Sequence, residues 1–255
     1  MAKLGKGIKM SKTPVEALKR IEEAKRNNST ELDLSELKLT QFPPEILELT
    51  NLTKLNLGIN ELATFPYIIN KITKLNTLYL HKNLFTTFPE ALGMLNNLTS
   101  LYLEYNQLKS LPEAIGKLTN LTFLDLIGCE LASVPEAIGK LTNLTILFLS
   151  ENKLPTLPES IGKLNKLKSL FLHKNQLTTL PEAIAKLTNL ETLQLDSNKF
   201  QVGLEVYKLP PQEQIQEILK WQRAQKAGTL KPIHEAKVIF IGESNYGKTH
   251  LIELL

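Results

Sequence analysis

Proline recurs every 23 residues along most of this chain, and this interval limits the fold more than any other feature. The series has seven members without insertion or deletion: Pro43, Pro66, Pro89, Pro112, Pro135, Pro158 and Pro181. Asparagine keeps the same step at Asn60, Asn83, Asn106, Asn152, Asn175 and Asn198, with Leu37 and Cys129 at the two remaining positions. A fixed period of this length indicates a repeat protein in which each unit packs on its neighbours.

Each unit also contains two leucines separated by one residue. The pairs are Leu32/Leu34, Leu55/Leu57, Leu78/Leu80, Leu101/Leu103, Leu124/Leu126, Leu147/Leu149, Leu170/Leu172 and Leu193/Leu195. This alternation predicts a short, half-buried strand whose leucines face the core. Three and six residues after each proline come further apolar residues, such as Ile115 and Leu118, a spacing that predicts a short helical turn.

The combined pattern L-x-x-L-x-L-x-x-N-x-L resembles the leucine-rich repeat family over about residues 29–200. The resemblance implies an α/β solenoid, curved and built from about eight 23-residue repeats, with the strands lining its concave face. One repeat cannot bury its own leucines, so stacking must supply the core, and the terminal repeats need caps.

The repeated asparagines are expected to be structural. An amide that is buried where the chain leaves a strand can satisfy backbone groups that no strand pairing reaches. Cys129 replaces one of these amides, and we expect it to have a packing role, with a reactive thiol as the alternative.

An N-terminal cap is predicted over residues 1–28. Thr13 is expected to be the N-cap of a helix, with Pro14 at its first position and Glu16 completing a capping box. A helix that continues to about Arg26 would cover the first repeat.

A C-terminal cap is predicted over residues 201–228. Two prolines, Pro210 and Pro211, precede residues at helical spacing, and Gly228 is expected to end the helix. The residues expected to close the solenoid are Ile215, Ile218, Leu219 and Gln222.

The residues between the strand leucines are expected to point into the concave groove. In order they are Asp33, Asn56, Tyr79, Tyr102, Asp125, Phe148, Phe171 and Gln194. Neighbouring positions expected to be exposed hold Tyr105, Phe123, His81, His173, Glu104, Lys82, Lys174 and Glu151. Aromatic residues surrounded by charges are typical of a groove that binds a protein or peptide. The predicted partner-binding residues are Tyr79, His81, Tyr102, Glu104, Tyr105, Phe123, Phe148, Phe171 and His173.

An alternative role for the aromatic residues is purely structural. The rings could stack along the sheet as a cross-strand ladder that adds about 0.2–1 kcal/mol per pair. His81 and His173 lie four repeats apart, so we expect no metal on this face. Since no catalytic constellation stands out, we expect the solenoid to be non-catalytic.

After residue 228 the period ends. Residues 229–236 are expected to form a linker, and an apolar, β-branched run predicts a buried strand over residues 236–241. The signature G-x-x-x-x-G-K-[ST] follows as Gly242, Glu243, Ser244, Asn245, Tyr246, Gly247, Lys248 and Thr249. A strand, this loop and a helix-forming segment are the context of a phosphate-binding P-loop, so residues 237–255 are expected to begin a P-loop domain.

The residue types in this loop suit nucleotide binding. Gly242 and Gly247 allow backbone amides to face the phosphates, Lys248 would reach the β and γ phosphates, and the Thr249 hydroxyl would bind Mg²⁺. The sequence up to Leu255 contains no second strand with the Walker B acidic residue that a P-loop enzyme needs. We therefore expect this chain to lack a complete nucleotide site and to hydrolyse no nucleotide.

The order of repeats, capping helix and P-loop resembles the Roco proteins, whose repeats precede a Ras-like GTPase domain called Roc and a dimerising domain called COR. The resemblance implies that GTP and Mg²⁺ bind at Gly242, Gly247, Lys248 and Thr249 in a longer parent protein. It also implies that the repeats recruit partners or regulate the GTPase. The downstream GTPase or COR domains, or another copy of the chain, are then further partners to expect. His250 departs from the Ser or Thr that such loops often carry.

Two other interpretations of the P-loop stay open. The chain could be a stand-alone leucine-rich-repeat scaffold with a vestigial P-loop tail, or part of an ATP-dependent enzyme of another P-loop class.

Composition excludes several classes of protein. Thirty basic and 26 acidic residues give a net charge of +4 and are scattered, so no nucleic-acid surface is indicated. We expect no membrane span and no signal peptide, because no sufficiently long apolar run is present. With only one cysteine, the chain is expected to be cytoplasmic.

Overall fold

The computed structural model describes residues 13–228, whose eight strands form one parallel sheet in sequence order. Each strand pairs with the next at a step of 23 residues, so that Leu55 lies opposite Leu78 and Leu78 opposite Leu101. The strands are β1 (Glu31–Asp33), β2 (Lys54–Asn56), β3 (Thr77–Tyr79), β4 (Ser100–Tyr102), β5 (Phe123–Asp125), β6 (Ile146–Phe148), β7 (Ser169–Phe171) and β8 (Thr192–Gln194). The predicted repeat strands are confirmed.

The helical turns predicted after the prolines are five-residue 3₁₀ helices. Each proline has an extended ψ angle and takes the N-cap position, and it accepts the first backbone hydrogen bond of the turn, as Pro112 does from Ile115. These helices are Pro44–Glu48, Tyr67–Lys71, Glu90–Met94, Glu113–Lys117, Glu136–Lys140, Glu159–Lys163 and Glu182–Lys186. One more, Leu204–Lys208, follows Gly203 instead of a proline.

The core lies between the sheet and the 3₁₀ helices. Both leucines of each inner strand pair, such as Leu78 and Leu80, are fully buried, and so is the apolar residue of the adjoining turn, such as Ile115. Neighbouring turns approach closely: a Cβ atom on Gly162 would lie 2.3 Å from the carbonyl oxygen of Ala183. Each repeat therefore buries its apolar side chains against the next.

The repeated asparagines hold the backbone where each strand ends. The Asn106 Nδ2 atom donates to the carbonyl oxygens of Leu80 and Leu103 at 3.0 and 2.8 Å, and its Oδ1 atom accepts from the amide of Phe85 at 3.2 Å. Equivalent bonds are made by Asn60, Asn83, Asn152, Asn175 and Asn198. Their structural role is confirmed.

Cys129 packs in the position of one of these amides. Its Sγ atom donates to the carbonyl oxygen of Leu103 at 3.2 Å, and the residue is fully buried. Burial raises the pKa of the Cys129 thiol to about 12. Because the thiolate is the reactive form, the structure supports a packing role and argues against a reactive thiol.

At the N-terminal end, helix α1 (Val15–Arg26) covers the first repeat, but the predicted capping box is wrong. Pro14 is the N-cap and no side chain caps the helix. The Thr13 hydroxyl instead donates to the Glu45 carboxylate at 3.1 Å, and Glu16 accepts from an arginine one turn later. The extended ψ angle of Pro14 starts the helix one residue late, which leaves Thr13 free to contact the first 3₁₀ helix.

At the C-terminal end, helix α2 (Pro211–Lys226) closes the array as predicted. The Gln222 side chain pairs with the backbone of Leu180 in both directions, accepting at 2.7 Å and donating at 2.9 Å. Gly228 follows the helix with a φ angle of +64°, the left-handed conformation that favours glycine at a helix end. The residues buried by this helix are Gln214, Ile215, Ile218, Leu219 and Gln222.

The linker predicted over 229–236 and the P-loop domain start predicted over 237–255 lie outside the described residues. Between residues 13 and 228 no helix is long and apolar enough to cross a membrane.

Asn106→Ala is expected to lower the free energy of unfolding by about 3 kcal/mol, because three buried backbone groups lose their partner. Urea denaturation followed by circular dichroism measures the change. Asn120→Ala is the matched control, since the Asn120 amide is exposed and donates to a single carbonyl, that of Asn96. An equal loss in the two variants would contradict the structural role assigned to the buried series.

Candidate functional site

The outward side chains of β1–β8 form the surface that we call the sheet face, which is the concave face of the sequence prediction. The residues between the strand leucines are the last residues of the three-residue strands. Strict 23-residue pairing places Tyr79 beside Tyr102 and Phe148 beside Phe171. The register therefore produces continuous columns of outward side chains.

Five rings on the sheet face form a continuous stack, the aromatic ladder, made of Tyr79, Tyr102, Phe123, Phe148 and Phe171. The ring centres of Tyr79 and Tyr102 lie 4.3 Å apart with planes inclined by 15°, and those of Phe148 and Phe171 lie 4.3 Å apart at 9°. Phe123 lies between these pairs, 4.6 Å from Tyr102 and 5.6 Å from Phe148. The structure thus brings together five of the predicted partner-binding residues.

Phe123 occupies a different column from the other four rings. It comes two residues before Asp125, which takes the ring position in β5. Its ring spans the gap that this aspartate leaves between Tyr102 and Phe148. All five rings are half-buried, so the ladder stabilises the sheet and also presents an apolar strip to solvent.

Two carboxylates lie beside the centre of the ladder. Asp125 is only 9% exposed, and its Oδ1 atom accepts from the amide of Ile127 at 3.0 Å. Burial raises the pKa of Asp125 to about 7, and the negative charge of Glu104 adds to this effect against the opposing hydrogen bond from Ile127. Burial also raises the pKa of Glu104, whose Oε2 atom is buried without a hydrogen-bond partner among residues 13–228.

The two predicted histidines lie at equivalent positions but in different surroundings. The His81 ring lies against Gly58, where a Cβ atom would be 2.2 Å from it, so this packing requires glycine. Its Nδ1 atom is 3.9 Å from the nearer Glu104 oxygen. Burial, helped by the charge of Lys82, lowers the pKa of His81, which keeps the ring neutral at pH 7. His173 instead lies 2.8 Å from the Ser150 hydroxyl.

Tyr105 lies at the rim rather than in the ladder. Its backbone has a φ angle of +55°, and its ring covers Gly128, with the Lys82 ammonium 5.9 Å from the ring centre. The other two rim charges pair with each other: the Lys174 ammonium lies 2.8 Å from Glu151. Tyr105 is thus the one exposed ring of the predicted set, and among residues 13–228 it stacks on no other aromatic ring.

Of the eight neighbouring positions expected to be exposed, three are exposed, namely Lys82, Tyr105 and Lys174. The other five are half-buried: Phe123, His173, Glu151, His81 and Glu104. Only about a fifth of the side chains of His81 and Glu104 is exposed, at 19% and 20%. Asp125 is the main residue that the predicted binding set omits, although the sequence analysis places it among the outward residues of the strands. The sequence did contain a signal for it, because Asp125 is the only acidic residue between the aromatic residues Tyr79 and Phe171 at this repeat position.

The predicted nucleotide and magnesium site lies outside the residues that the structure describes. The nucleotide-binding residues predicted over 242–249, with Thr249 as the Mg²⁺ ligand, are not among residues 13–228. Within that range, no group of three or more His, Cys, Asp or Glu side chains is placed to hold a metal ion.

Comparison with known proteins identifies the repeats. The family model described as "Leucine rich repeat" matches residues 73–131 and 142–200. Among solved structures 463 chains match, whereas no curated protein sequence does. The chain therefore carries leucine-rich repeats in a solenoid-like fold.

Two of the matching structures illustrate the likeness. An LRR protein of Leptospira interrogans is 33% identical, with a TM-score of 0.56 over 71% of this chain and 59% of that one. The LRR ectodomain of the Arabidopsis thaliana membrane receptor kinase GASSHO1/SCHENGEN3, solved in complex with CASPARIAN STRIP INTEGRITY FACTOR 2, is 29% identical. Its TM-score is 0.53 over 67% of this chain and 24% of that one. This chain thus spans less than two thirds of either neighbour.

Asp125→Asn is expected to stabilise the protein by about 2–4 kcal/mol at pH 8, measured by urea denaturation. Because the folded-state pKa of Asp125 lies near 7 and the ordinary value is 3.8, the folded state retains a proton that the unfolded chain loses between these values. Wild-type stability therefore falls as the pH rises from about 4 to 7 and then stays low. Asparagine cannot ionise and can keep the bond from Ile127, so its advantage grows across that range.

Asp33→Asn is the control, at a position in the same column of the sheet face, and it should change the free energy of unfolding in the opposite direction. Burial raises the pKa of Asp33, but hydrogen bonds from Ser35 and Asn56 outweigh this, with help from the charge of Arg20, and the net shift is downward. This variant is expected to lose stability at pH 7 and to approach wild type in strong acid. The assignment fails if both substitutions change stability in the same direction.

Proposed function

We propose that this leucine-rich-repeat solenoid binds a protein or peptide segment on its sheet face, with the aromatic ladder as the main contact. The observation that carries the proposal is the unbroken strip of five half-buried rings across β3–β7. A few large aromatic side chains that lose water on binding dominate the energy of most interfaces. The Arabidopsis thaliana ectodomain, solved with its partner bound, supports this role.

The stacking of the rings stabilises the sheet and at the same time prepares the rings for binding. Each ring is held by its neighbours at 4.3 to 5.6 Å, so little side-chain freedom remains to be lost when a partner covers the exposed edges. Strand pairing fixes the columns beneath them. The ladder is therefore a preorganised apolar strip whose length suits an extended segment of a partner.

A binding role agrees with the generally non-catalytic character of leucine-rich-repeat domains, and we propose that the described part of this chain is not an enzyme. The residues offered to the partner are those of the ladder, with His81, Glu104, Tyr105 and His173 beside it.

We also propose that these repeats belong to the N-terminal part of a cytoplasmic Roco-type GTP-binding protein. The support is the complete G-x-x-x-x-G-K-[ST] signature over residues 242–249, which follows the repeats and their capping helix. In that protein Lys248 would contact the β and γ phosphates of GTP, and Thr249 would bind Mg²⁺. The GTPase or COR domains, or another copy of the chain, are then further candidates for the sheet face. The alternative is a stand-alone scaffold whose P-loop is vestigial.

The double substitution Tyr102→Ala and Phe148→Ala is expected to weaken peptide binding at least about thirtyfold, since each ring is a central anchor. The probe is a phage-displayed library of random dodecapeptides selected on the full 255-residue chain. Affinities of the synthesised peptides are measured by isothermal titration calorimetry. Circular dichroism should show an intact fold, because neither ring lies in the leucine core.

Tyr67→Ala is the control for this experiment, because Tyr67 is 64% exposed on a 3₁₀ helix away from the sheet face. It should leave the affinities unchanged. If the ladder variant binds the selected peptides as tightly as wild type, the rings serve the sheet alone and the proposed function is wrong.

Lys248→Ala is expected to abolish binding of GTP with Mg²⁺ in the protein encoded by the reading frame that continues through residue 255. Removing the lysine takes away the positive charge that would face the terminal phosphates. Calorimetry with GTP and with ATP measures the effect and the base preference. A stop codon directly after Leu255, or no nucleotide binding by the unsubstituted protein, would favour the stand-alone scaffold. Binding that the substitution leaves unchanged would contradict the role given to Lys248.

A further inference from the structure

The carboxylates of Glu104 and Asp125 differ from the other acidic groups of the sheet face because they combine burial with the lack of a lysine or arginine partner. Among the ion pairs of residues 13–228, none joins either of them to a lysine or arginine. The His81 ring, kept neutral by burial, lies 3.9 Å from Glu104, and the charge of Lys82 acts on Glu104 from a distance without forming an ion pair.

Other carboxylates on this face are already satisfied. Glu31 lies 3.4 Å from the Lys54 ammonium, and Glu151 lies 2.8 Å from that of Lys174. Asp33 accepts from both the amide and the hydroxyl of Ser35 at 2.8 and 2.7 Å. Buried carboxyl groups without a lysine or arginine partner are thus concentrated at one place, near the centre of the sheet face.

The acceptor atoms at this place are also unused. Asp125 is nine-tenths buried, and its Oδ1 atom accepts its one hydrogen bond from the described chain. Its Oδ2 atom accepts none there and is not fully buried, so a donor from outside can reach it. The Oε2 atom of Glu104 is buried and accepts no hydrogen bond from residues 13–228. A buried acceptor such as Glu104 Oε2 is costly unless a donor reaches it, which points to a donor supplied from outside the described residues.

The surroundings of these acceptors select the kind of donor. Tyr102 and Phe123, the neighbours of Glu104 and Asp125 on the sheet face, offer aromatic surface to a cation. A guanidinium group is planar, stacks on aromatic rings and presents five N–H donors that can serve two carboxylates at once, whereas an ammonium is a compact point charge.

We propose that the partner of the sheet face inserts an arginine side chain here, with its guanidinium against Glu104 and Asp125 and beside the rings of Tyr102 and Phe123. This inference rests on the proposed function, because it names the chemistry that the same surface recognises. The ladder then supplies apolar contact along the partner segment, and the two carboxylates fix its register by one charged side chain.

The test uses peptides selected from the dodecapeptide library on the full chain that bind wild type but not the Tyr102→Ala, Phe148→Ala variant. These peptides are expected to contain arginine. Replacing that arginine by citrulline, a neutral side chain of nearly the same shape, should weaken binding to wild type about tenfold or more in calorimetry at pH 8. Lysine in its place should bind with intermediate affinity.

The variant Glu104→Gln, Asp125→Asn completes the cycle. It keeps the shape of both side chains and removes their charge, and on it the arginine and citrulline peptides should bind within about twofold of each other. The citrulline comparison on the wild-type chain stands without this variant, so the test does not depend on its folding.

The outcomes separate the two proposals. Ladder-dependent peptides without arginine, or citrulline peptides that bind wild type as tightly as their arginine parents, overturn this inference and leave the proposed function standing. Lysine peptides that equal the arginine peptides overturn the choice of a guanidinium. If no selected peptide depends on the ladder, the proposed function fails, and this inference fails with it.

Discussion

The stacking of one repeat on the next is the constraint on which the rest of this structure depends. A 23-residue unit exposes its leucines unless a neighbour covers them, and parallel pairing at an unbroken step of 23 residues provides that cover. The same step aligns the outward side chains. One register therefore creates both the leucine core and the aromatic columns of the sheet face, so the candidate site is as rigid as the fold beneath it.

Asp125 shows how the two faces of the sheet impose different requirements. On the core side, the leucine columns continue without interruption through Leu124 of β5 and Leu126 just after it, both fully buried. On the outward side, a carboxyl group replaces a ring and is itself largely covered, which makes its ionised form costly. Folding does not need that charge, since a neutral carboxamide could accept the same hydrogen bond from the Ile127 amide. A charge kept at a cost to stability is typical of a binding surface.

The sequence predicted the strands, the turns, both terminal helices and the columns, because each follows from a period or a local pattern. It failed where contacts join distant residues. Thr13 bonds Glu45 across 32 residues instead of capping its own helix. The burial of Glu104, and the position of Phe123 across the gap beside Asp125, depend on side-chain directions set by neighbouring repeats. Such features carry no local signature, so they emerge only once the repeats are packed.

A partner lying along the ladder would also act on the array itself. Stability in a repeat protein is close to a sum of repeats and the interfaces between neighbours. A segment that contacts Tyr79 and Phe171 together bridges β3 to β7, so it favours only the state in which all the intervening interfaces are formed. Helices α1 and α2 cover the two ends of the array. Binding at the centre and capping at the ends thus act on complementary parts of the same stack.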